Sequence, residues 1–438
     1  MYRNRFLAGV LAGLLGVVLL CGVNKANAAD GVTDSGVLLT VIKTGTGDGT
    51  VTPSTGTLTF NGSTGTGSYA TNSQVILTAV AGAGSRFNGW LGCDVTNGAQ
   101  CTVTMSGVKS VFVDFKVAPP KRAKRDFNND GKSDLLMQSS STHDVAVWLM
   151  DGTTKAKADY AAKGVPANWK VRAAEDFDGD GKADVLWHNT DTGDVYIWLM
   201  NGTSTTSGAF AAKGVTSDWQ VKGSGDFDGD GKNDVLWQNT STGAVYVWLM
   251  DGNTQKAGGY LVKSMQADWQ IKGIGDFDGD DKADVLWQNQ KTGDVYLWLM
   301  DGVNIKKGDY ISRGVPSTWH IQAVADYNGD GKADIHWQDA NNNVYVWLMD
   351  GTNIVGGDFV KPKGSSSTQL LFKQMTEGAS DAGTWNMQAV GDYNGDGMND
   401  MLWQNSSTGA VYMWFMDGTT INSIGSVDQG VPSEWSIY

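Results

Sequence analysis

Six copies of the pattern Asp-x-[Asp/Asn]-x-Asp-[Gly/Asp]-x-x-Asp start at Asp126, Asp176, Asp226, Asp276, Asp326 and Asp392, with gaps of 50, 50, 50, 50 and 66 residues. The second reads Asp176-Phe177-Asp178-Gly179-Asp180-Gly181-Lys182-Ala183-Asp184. Oxygen-bearing side chains at positions 1, 3, 5 and 9 suit an all-oxygen cage. Glycine at position 6 allows the sharp turn that folds the loop round one ion, and the carbonyl at position 7 can add a ligand. Such a donor set selects a hard cation, and the pattern predicts calcium. One such nonapeptide is compatible with an ordinary acidic turn, but six at a nearly fixed period are not a chance recurrence. The expectation is about six Ca²⁺ per chain, at the weak extracellular end of the affinity range, roughly 10⁻⁴–10⁻³ M.

The elements that must hold these loops repeat with them. A period near 50 residues over 126–438 points to a propeller or a solenoid. In the second unit the loop leads into Asp184–Trp187, a polar turn joins this to Val195–Met200, a segment near Phe210 to Ala212 follows, and Trp219–Lys222 runs toward the next loop. Four strand-like segments without a helical period fit a propeller blade. In Val195–Met200 both alternating faces are apolar, so both must be covered, as in a blade wedged between neighbours. Seventeen of the 18 tryptophans fall in three recurrent slots of the repeats, exemplified by Trp187, Trp198 and Trp169. Sugar-stacking platforms and packing between blades both fit this regularity, and packing is the expectation adopted. In units two to six a tryptophan stands seven residues before the first loop aspartate, whereas Pro119 occupies that place before Asp126. The missing segment recurs as Glu434-Trp435-Ser436-Ile437-Tyr438. The expected fold is therefore all-β: a six-bladed β-propeller closed by the C-terminal strand, preceded by a small β-rich domain.

The region 126–438 resembles the FG-GAP/VCBS repeat family, in which metal loops lie between strands of β-propeller blades, as in integrin α-subunit heads and some secreted lectins. The resemblance implies calcium ligands at Asp126, Asn128, Asp130 and Asp134 in the first loop, and at Asp176, Asp178, Asp180 and Asp184 in the second. The third set is Asp226, Asp228, Asp230 and Asp234, and the fourth Asp276, Asp278, Asp280 and Asp284. The fifth is Asp326, Asn328, Asp330 and Asp334, and the sixth Asp392, Asn394, Asp396 and Asp400. The fourth loop departs by placing Asp281 where the others have glycine, at a position expected to need positive φ. Position 12 of the second loop is Trp187 and no helices flank it, so the loops are not EF-hands.

The rest of the chain sets the context. Arg3 and Arg5 precede an apolar run from Phe6 to Cys21, and Ala26-Asn27-Ala28 supplies a small-x-small site, so residues 1–28 read as a cleaved export signal. The expected location is extracellular or at a bacterial cell surface, or the periplasm, with no membrane span after cleavage. Cleavage leaves Cys93 and Cys101, whose proximity in an exported chain suggests a disulfide, with two buried thiols as the alternative. The formal charge is −14. The expected metal ligands account for most of it, and it argues against a nucleic-acid partner. Residues 36–117 are rich in Gly and Thr with alternating β-type runs at 37–42, 74–80 and 110–115. The stretch from Ser73 through Trp90 and Cys93 to Met105 resembles a divergent internalin-type B repeat, which implies a small β-rich, adhesion-associated module. Residues 118–125, with two prolines and a basic cluster, read as a solvated linker.

No catalytic constellation emerges. His143, His188, His320 and His336 fall in different units; His188 replaces a recurrent glutamine and His336 an apolar strand position. There is no transition-metal spacing, nucleophile elbow or phosphate loop. Three functions stay open. The leading one is a secreted, calcium-binding, non-enzymatic recognition or adhesion protein for glycans or cell-surface proteins. The others are an exported polysaccharide hydrolase or lyase, which needs carboxylates outside the loops converging in the channel, and a structural component of a matrix or appendage. The segment from Lys361 to Asp381, which breaks the period, reads equally as a recognition loop on a rigid scaffold and as a tolerated surface insertion.

Overall fold

The computed structural model describes residues 36–82, 85–97, 99–117, 123–364 and 385–438. Residues 1–28, read as a signal, and most of the Lys361–Asp381 insertion lie outside them. The chain divides into two compact units between Pro120 and Lys121. No helix occurs among the described residues.

The first unit contains two sheets over one core. The larger has the order β3 (Thr59–Asn61), β4 (Thr64–Tyr69), β1 (Val37–Thr44), β9 (Lys109–Val117), β6 (Ser85–Leu91). The smaller runs β2 (Gly49–Pro53), β5 (Gln74–Ala81), β8 (Gln100–Thr104), β7 (Val95–Asn97). Period-two alternation sends Leu39 and Val41, Val75 and Leu77, and Val111, Val113 and Phe115 into this core. Cys93 and Cys101 are joined as a disulfide with their Cα atoms 5.5 Å apart.

The second unit is a ring of six blades, each with four antiparallel strands, and the sixth gains a short parallel edge strand, Lys361–Pro362, beside Thr420–Asp428. Blade 2 shows the plan: β13 (Trp169–Glu175) innermost, then β14 (Asp184–Asn189), β15 (Val195–Asn201) and β16 (Ser204–Ala212). Burial follows that order outward. Every residue of β14 is buried, β15 alternates between buried and half-buried, and β16 is mostly exposed. The apolar clusters each join successive blades, as where Phe177, Leu186 and Ile197 of blade 2 meet Val235, Trp237 and Met250 of blade 3. Trp187, Trp237, Trp287, Trp337 and Trp403 are at most 2% exposed, so this tryptophan slot is packing, and truncating any one of them is expected to cost about 3–5 kcal/mol.

The innermost strands β13, β17 (Trp219–Gly225), β21 (Trp269–Gly275), β25 (Trp319–Ala325) and β30 (Trp385–Gly391) pack in succession round the axis. Blade 1 completes the circle with a composite inner strand. β34 (Trp435–Ile437) pairs with β10 (Leu135–Ser139), matching Ile437 to Met137 and Trp435 to Ser139, and the Tyr438 N–H donates to Leu136 O at 2.9 Å. The remainder comes from the other end of the region, where the Asp134 N–H donates to Arg125 O at 2.9 Å. Lys124 and Arg125 are thus part of the propeller rather than the end of a solvated linker. The Arg125 guanidinium donates to Val390 O of blade 6, and burial lowers the Lys124 pKa while nearby Glu175 opposes that shift.

Deleting Glu434–Tyr438 strips β10 of its inner partner and exposes its edge. The truncated protein is expected to aggregate and to melt well below the parent; equal solubility and melting temperature by size-exclusion chromatography and calorimetry would show that closure is dispensable.

Candidate metal loops and aromatic notches

Each acidic loop is a turn knotted by its own carboxylates. In the second, Asp176 Oδ1 accepts from the Gly179 N–H at 2.7 Å and Oδ2 from the Gly181 N–H at 2.9 Å. Asp178 accepts from the Asp180 N–H, and Asp180 from the Lys182 N–H, at 3.0 and 2.8 Å. Position 6 has positive φ in all six loops, including 65° at Asp281, as the sequence requires. Position 9 is built differently. Asp184 is buried, and its oxygens accept from the Phe177 N–H of its own loop and the Met200 N–H of β15, both at 2.9 Å. Asp134, Asp234, Asp284, Asp334 and Asp400 repeat that arrangement. Burial pushes these six carboxyls up, to about 7 at Asp134, Asp184, Asp234 and Asp334 and about 8 at Asp284 and Asp400.

The loops also join the blades. The N–H at position 8 of each loop donates to the position-1 carbonyl of the preceding loop: Ala183 to Asp126, Asn233 to Asp176, Ala283 to Asp226, Ala333 to Asp276, Asn399 to Asp326, and Ser133 to Asp392, at 2.6–2.7 Å. A second series runs from a hairpin glycine to the position-2 carbonyl, as from Gly202 to Phe127 and from Gly152 to Tyr393. The position-2 side chains, Phe127, Phe177, Phe227, Phe277, Tyr327 and Tyr393, are fully buried. Sequence reasoning treated that position as free, although its aromatic recurs with the 50-residue period.

Carboxylate oxygens converge within 4.8 Å of one another at Asp176, Asp178 and Asp184, at Asp226, Asp228 and Asp230, and at Asp276, Asp278 and Asp284. The structure thus brings positions 1, 3 and 9 together in the second and fourth loops and positions 1, 3 and 5 in the third. In the first, fifth and sixth loops the third ligand position is Asn128, Asn328 or Asn394, which leaves Asp126 with Asp130, Asp326 with Asp330 and Asp392 with Asp396 as the flanking carboxylates. Each of these asparagines accepts from the position-5 N–H and donates to its carboxylate, at 2.9–3.2 Å. Buried Oδ1 atoms of Asp228 and Asp278 have no hydrogen-bond partner, a lone-pair direction left for a cation. The residues therefore fit a hard divalent ion, with oxygen donors only. Lys182 Nζ lies 2.8 Å from Asp180 Oδ2 in the second loop, and in loops three and four a lysine from the outer strand of the blade reaches the cradle. Lys256 Nζ lies 2.9 Å from Asp228 Oδ2, and Lys306 Nζ lies 3.2 Å from Asp278 Oδ2 and 2.9 Å from Asp280 Oδ2.

A second recurrent feature lies on the blade flanks. The third tryptophan slot, expected to be packing, is half-exposed in blades 2–5 and forms an aromatic triad. In blade 4, Trp269 stands 6.1 Å from Tyr296 and 6.3 Å from Tyr310, which are 4.7 Å apart in an edge-to-face pair. The same triad is Trp169, Tyr196 and Phe210; Trp219, Tyr246 and Tyr260; and Trp319, Tyr345 and Phe359. In blade 4 it opens on a cavity of about 330 Å³ lined also by Met265, Trp287 and Trp298. The indole N–H of Trp287, 1% exposed, has no acceptor, and those of Trp187, Trp237 and Trp337 repeat this. Phe210, Tyr260 and Phe359 are more than 40% exposed.

Among the histidines, His336 is fully buried with its pKa pushed down to about 3 by burial, and His188 packs edge-on to Trp237. Both are core residues.

An all-β propeller whose blades are joined by acidic loops defines the class of this protein. Residues 126–187, 226–287 and 276–337 match the FG-GAP-like repeat, so the propeller carries repeats of that family. No curated protein matches the chain. Among solved structures, the chain is similar to a nidogen/laminin complex at 14% identity, covering 70% of this chain and 96% of that one, with a TM-score of 0.43. It is also similar to a Photorhabdus luminescens Tc holotoxin pore at 13% identity, covering 82% of this chain and 17% of that one, with a TM-score of 0.45.

Two outcomes test the loops. In chelator, the six position-9 carboxyls have folded pKa values above the unfolded 3.8, so their contribution to stability is complete below that pH and is lost as pH rises through about 7–8. Chelated protein should therefore melt lower at pH 8 than at pH 5, by up to about 1.4 kcal/mol per group per pH unit, and calcium should reverse the loss. Calorimetry with and without calcium checks both halves; a pH-independent chelated protein indifferent to calcium contradicts the assignment. Second, Lys306→Ala should tighten calcium binding by several-fold in direct titration, since the ammonium no longer occupies the fourth cradle.

Proposed function

We propose that this protein is an exported, calcium-stabilised recognition module whose propeller binds glycans through its flank notches. The observation that carries this reading is the Trp–Tyr–aromatic triad, repeated in four successive blades above a buried indole N–H with no acceptor. Aromatic faces stack on the C–H faces of a sugar ring. Equivalent notches on one rigid ring favour a repetitive ligand, because several weak contacts made together multiply into useful avidity. About six Ca²⁺ would be held by the oxygen-bearing side chains at positions 1, 3, 5 and 9 of the loops, with positions 1 and 3 common to all three convergent carboxylate sets. In this reading the ion's role is to neutralise the loops that join the blades, while the notches contact the ligand. The N-terminal sandwich fits the internalin B-repeat-like adhesion module read from the sequence, and it would present the propeller at a surface.

Replacing Phe210, Tyr260, Tyr310 and Phe359 together by alanine removes the outer wall of each notch while leaving the buried tryptophans in place. Screening the parent against a glycan array and then titrating the best oligosaccharide should show loss of binding by at least about tenfold in the variant, with melting and calcium content unchanged. Retained affinity would move recognition away from the notches, and a parent that binds no glycan would remove the reading.

A further inference from the structure

The propeller axis carries a group of cations that neither the metal loops nor the notches use. The innermost strands share a bulge, a register shift between residues 171 and 173, 221 and 223, 271 and 273, 321 and 323, and 387 and 389. The residues at the bulge are Arg172, Lys222, Lys272, Gln322 and Gln388, and Tyr438 closes the series from the C-terminal strand. Each lies four residues ahead of a first loop aspartate, except Tyr438, roughly 13 Å along an extended chain. Arg172, Lys222 and Tyr438 line a cavity of about 270 Å³ together with Arg125 and Glu175. The wall is kept thin by close approach: a Cβ on Gly223 would meet Ile274 Cδ1 at 2.8 Å, and one on Gly273 would meet Val324 Cγ2 at 2.2 Å.

The charge balance of this cavity is the reverse of the molecule's. Glu175 is desolvated between Lys124 and Arg125, whose charges oppose the rise that burial imposes on it. Beyond Lys124 and Arg125 the axis carries three more cations, Arg172 and Lys222 lining the cavity and Lys272 at the same bulge of the next blade, in a chain with a net charge of −14. None of the three has an ion-pair partner among the described residues, and burial pushes each of them below its ordinary range. Like charges gathered round one channel repel, and an anion bound among them relieves that repulsion. The guanidinium fork suits two oxygens of one anionic group, and the ammonium groups act as point charges.

We propose that the central channel holds an anion-binding site in which Arg172, Lys222 and Lys272 take a small oxyanion or the carboxylate of an acidic sugar. The site is separate from the flank notches and does not depend on them for its chemistry.

The test uses the full exported chain with 1 mM calcium present, titrated calorimetrically with sodium sulfate, with glucuronate and with glucose at matched ionic strength. Saturable binding of one sulfate or one glucuronate per chain is expected, with glucose inert. Tighter glucuronate binding assigns an acidic sugar, and tighter sulfate binding assigns a free oxyanion. The triple variant R172Q/K222Q/K272Q should lose at least tenfold in affinity, and its ligand-free melting temperature should hold or rise because repulsion has been removed. If the triple variant fails to fold, Lys222→Gln alone should weaken binding about threefold. The four-aromatic notch variant should bind the anion as the parent does, which separates failure here from failure of the glycan reading. No saturable binding of either anion, equal binding of glucose, or undiminished affinity in the lysine and arginine variants would overturn the proposal.

Discussion

The propeller depends on one closed circuit of backbone hydrogen bonds through its acidic loops. Each loop donates from position 8 to the position-1 carbonyl of the loop before it, and the Ser133 bond to Asp392 closes the series. Those carbonyls belong to the same aspartates whose carboxylates tie the turn at positions 4 and 6. Loop conformation and blade-to-blade registry are therefore one structural unit. A loop that loses its turn also drops a bond to its neighbour, so disturbance in one joint is passed round the ring. The cost of this arrangement is electrostatic: it concentrates carboxylates at the joints and buries at least one of them per loop. The convergent oxygens at Asp176, Asp178 and Asp184 show why a divalent cation suits such a joint, since it screens the repulsion that the hydrogen bonds alone must otherwise hold.

The aromatic side chains divide their work by depth. The slot at Trp187 is sealed between blades and supplies apolar area, whereas the slot at Trp169 stands at the flank beside Tyr196 and Phe210. Both recur with the same period. Blades 1 and 6 break the triad, with Ala146 and Ser426 in place of an aromatic, so the notch series is confined to the four middle blades. Departure from the repeat at the two blades that meet at the closure fits their separate task, because the composite inner strand and Arg125 already occupy that seam.

The axis of the ring is where the two chain ends of the propeller meet. Arg125 and Tyr438 lie against one cavity, although 313 positions separate them in sequence. A ring built from equivalent blades needs only one such seam, and here the seam brings charge into the channel. Lys124 and Arg125 enter from the segment ahead of the first loop and find Glu175 of the second blade.

Much was legible in the sequence because repetition turns weak local signals into strong ones. The acidic loops, the strand periods, the tryptophan slots and the displaced strand at Trp435 define six blades and their closure, since each is a pattern of residue type at fixed spacing. Asp281 was readable as a left-handed position for the same reason, and φ there is 65°. The disulfide followed from two neighbouring cysteines. Spacing carries no information about which loops hold hands across blades, however, because the position-8 N–H and position-1 carbonyl are backbone groups common to every residue. Nor does it say that the position-9 carboxylate is engaged by Met200 of a neighbouring strand, or that Lys256 and Lys306 reach back to the cradles. Residue type likewise made Trp169 and Trp187 look equivalent, although one lines a notch and the other fills a core. Lys124 looked like solvated linker, and only the closed ring placed it in the channel. Local chemistry is written along the chain, whereas exposure, shared hydrogen bonds and the meeting of distant charges arise when blades enclose an axis.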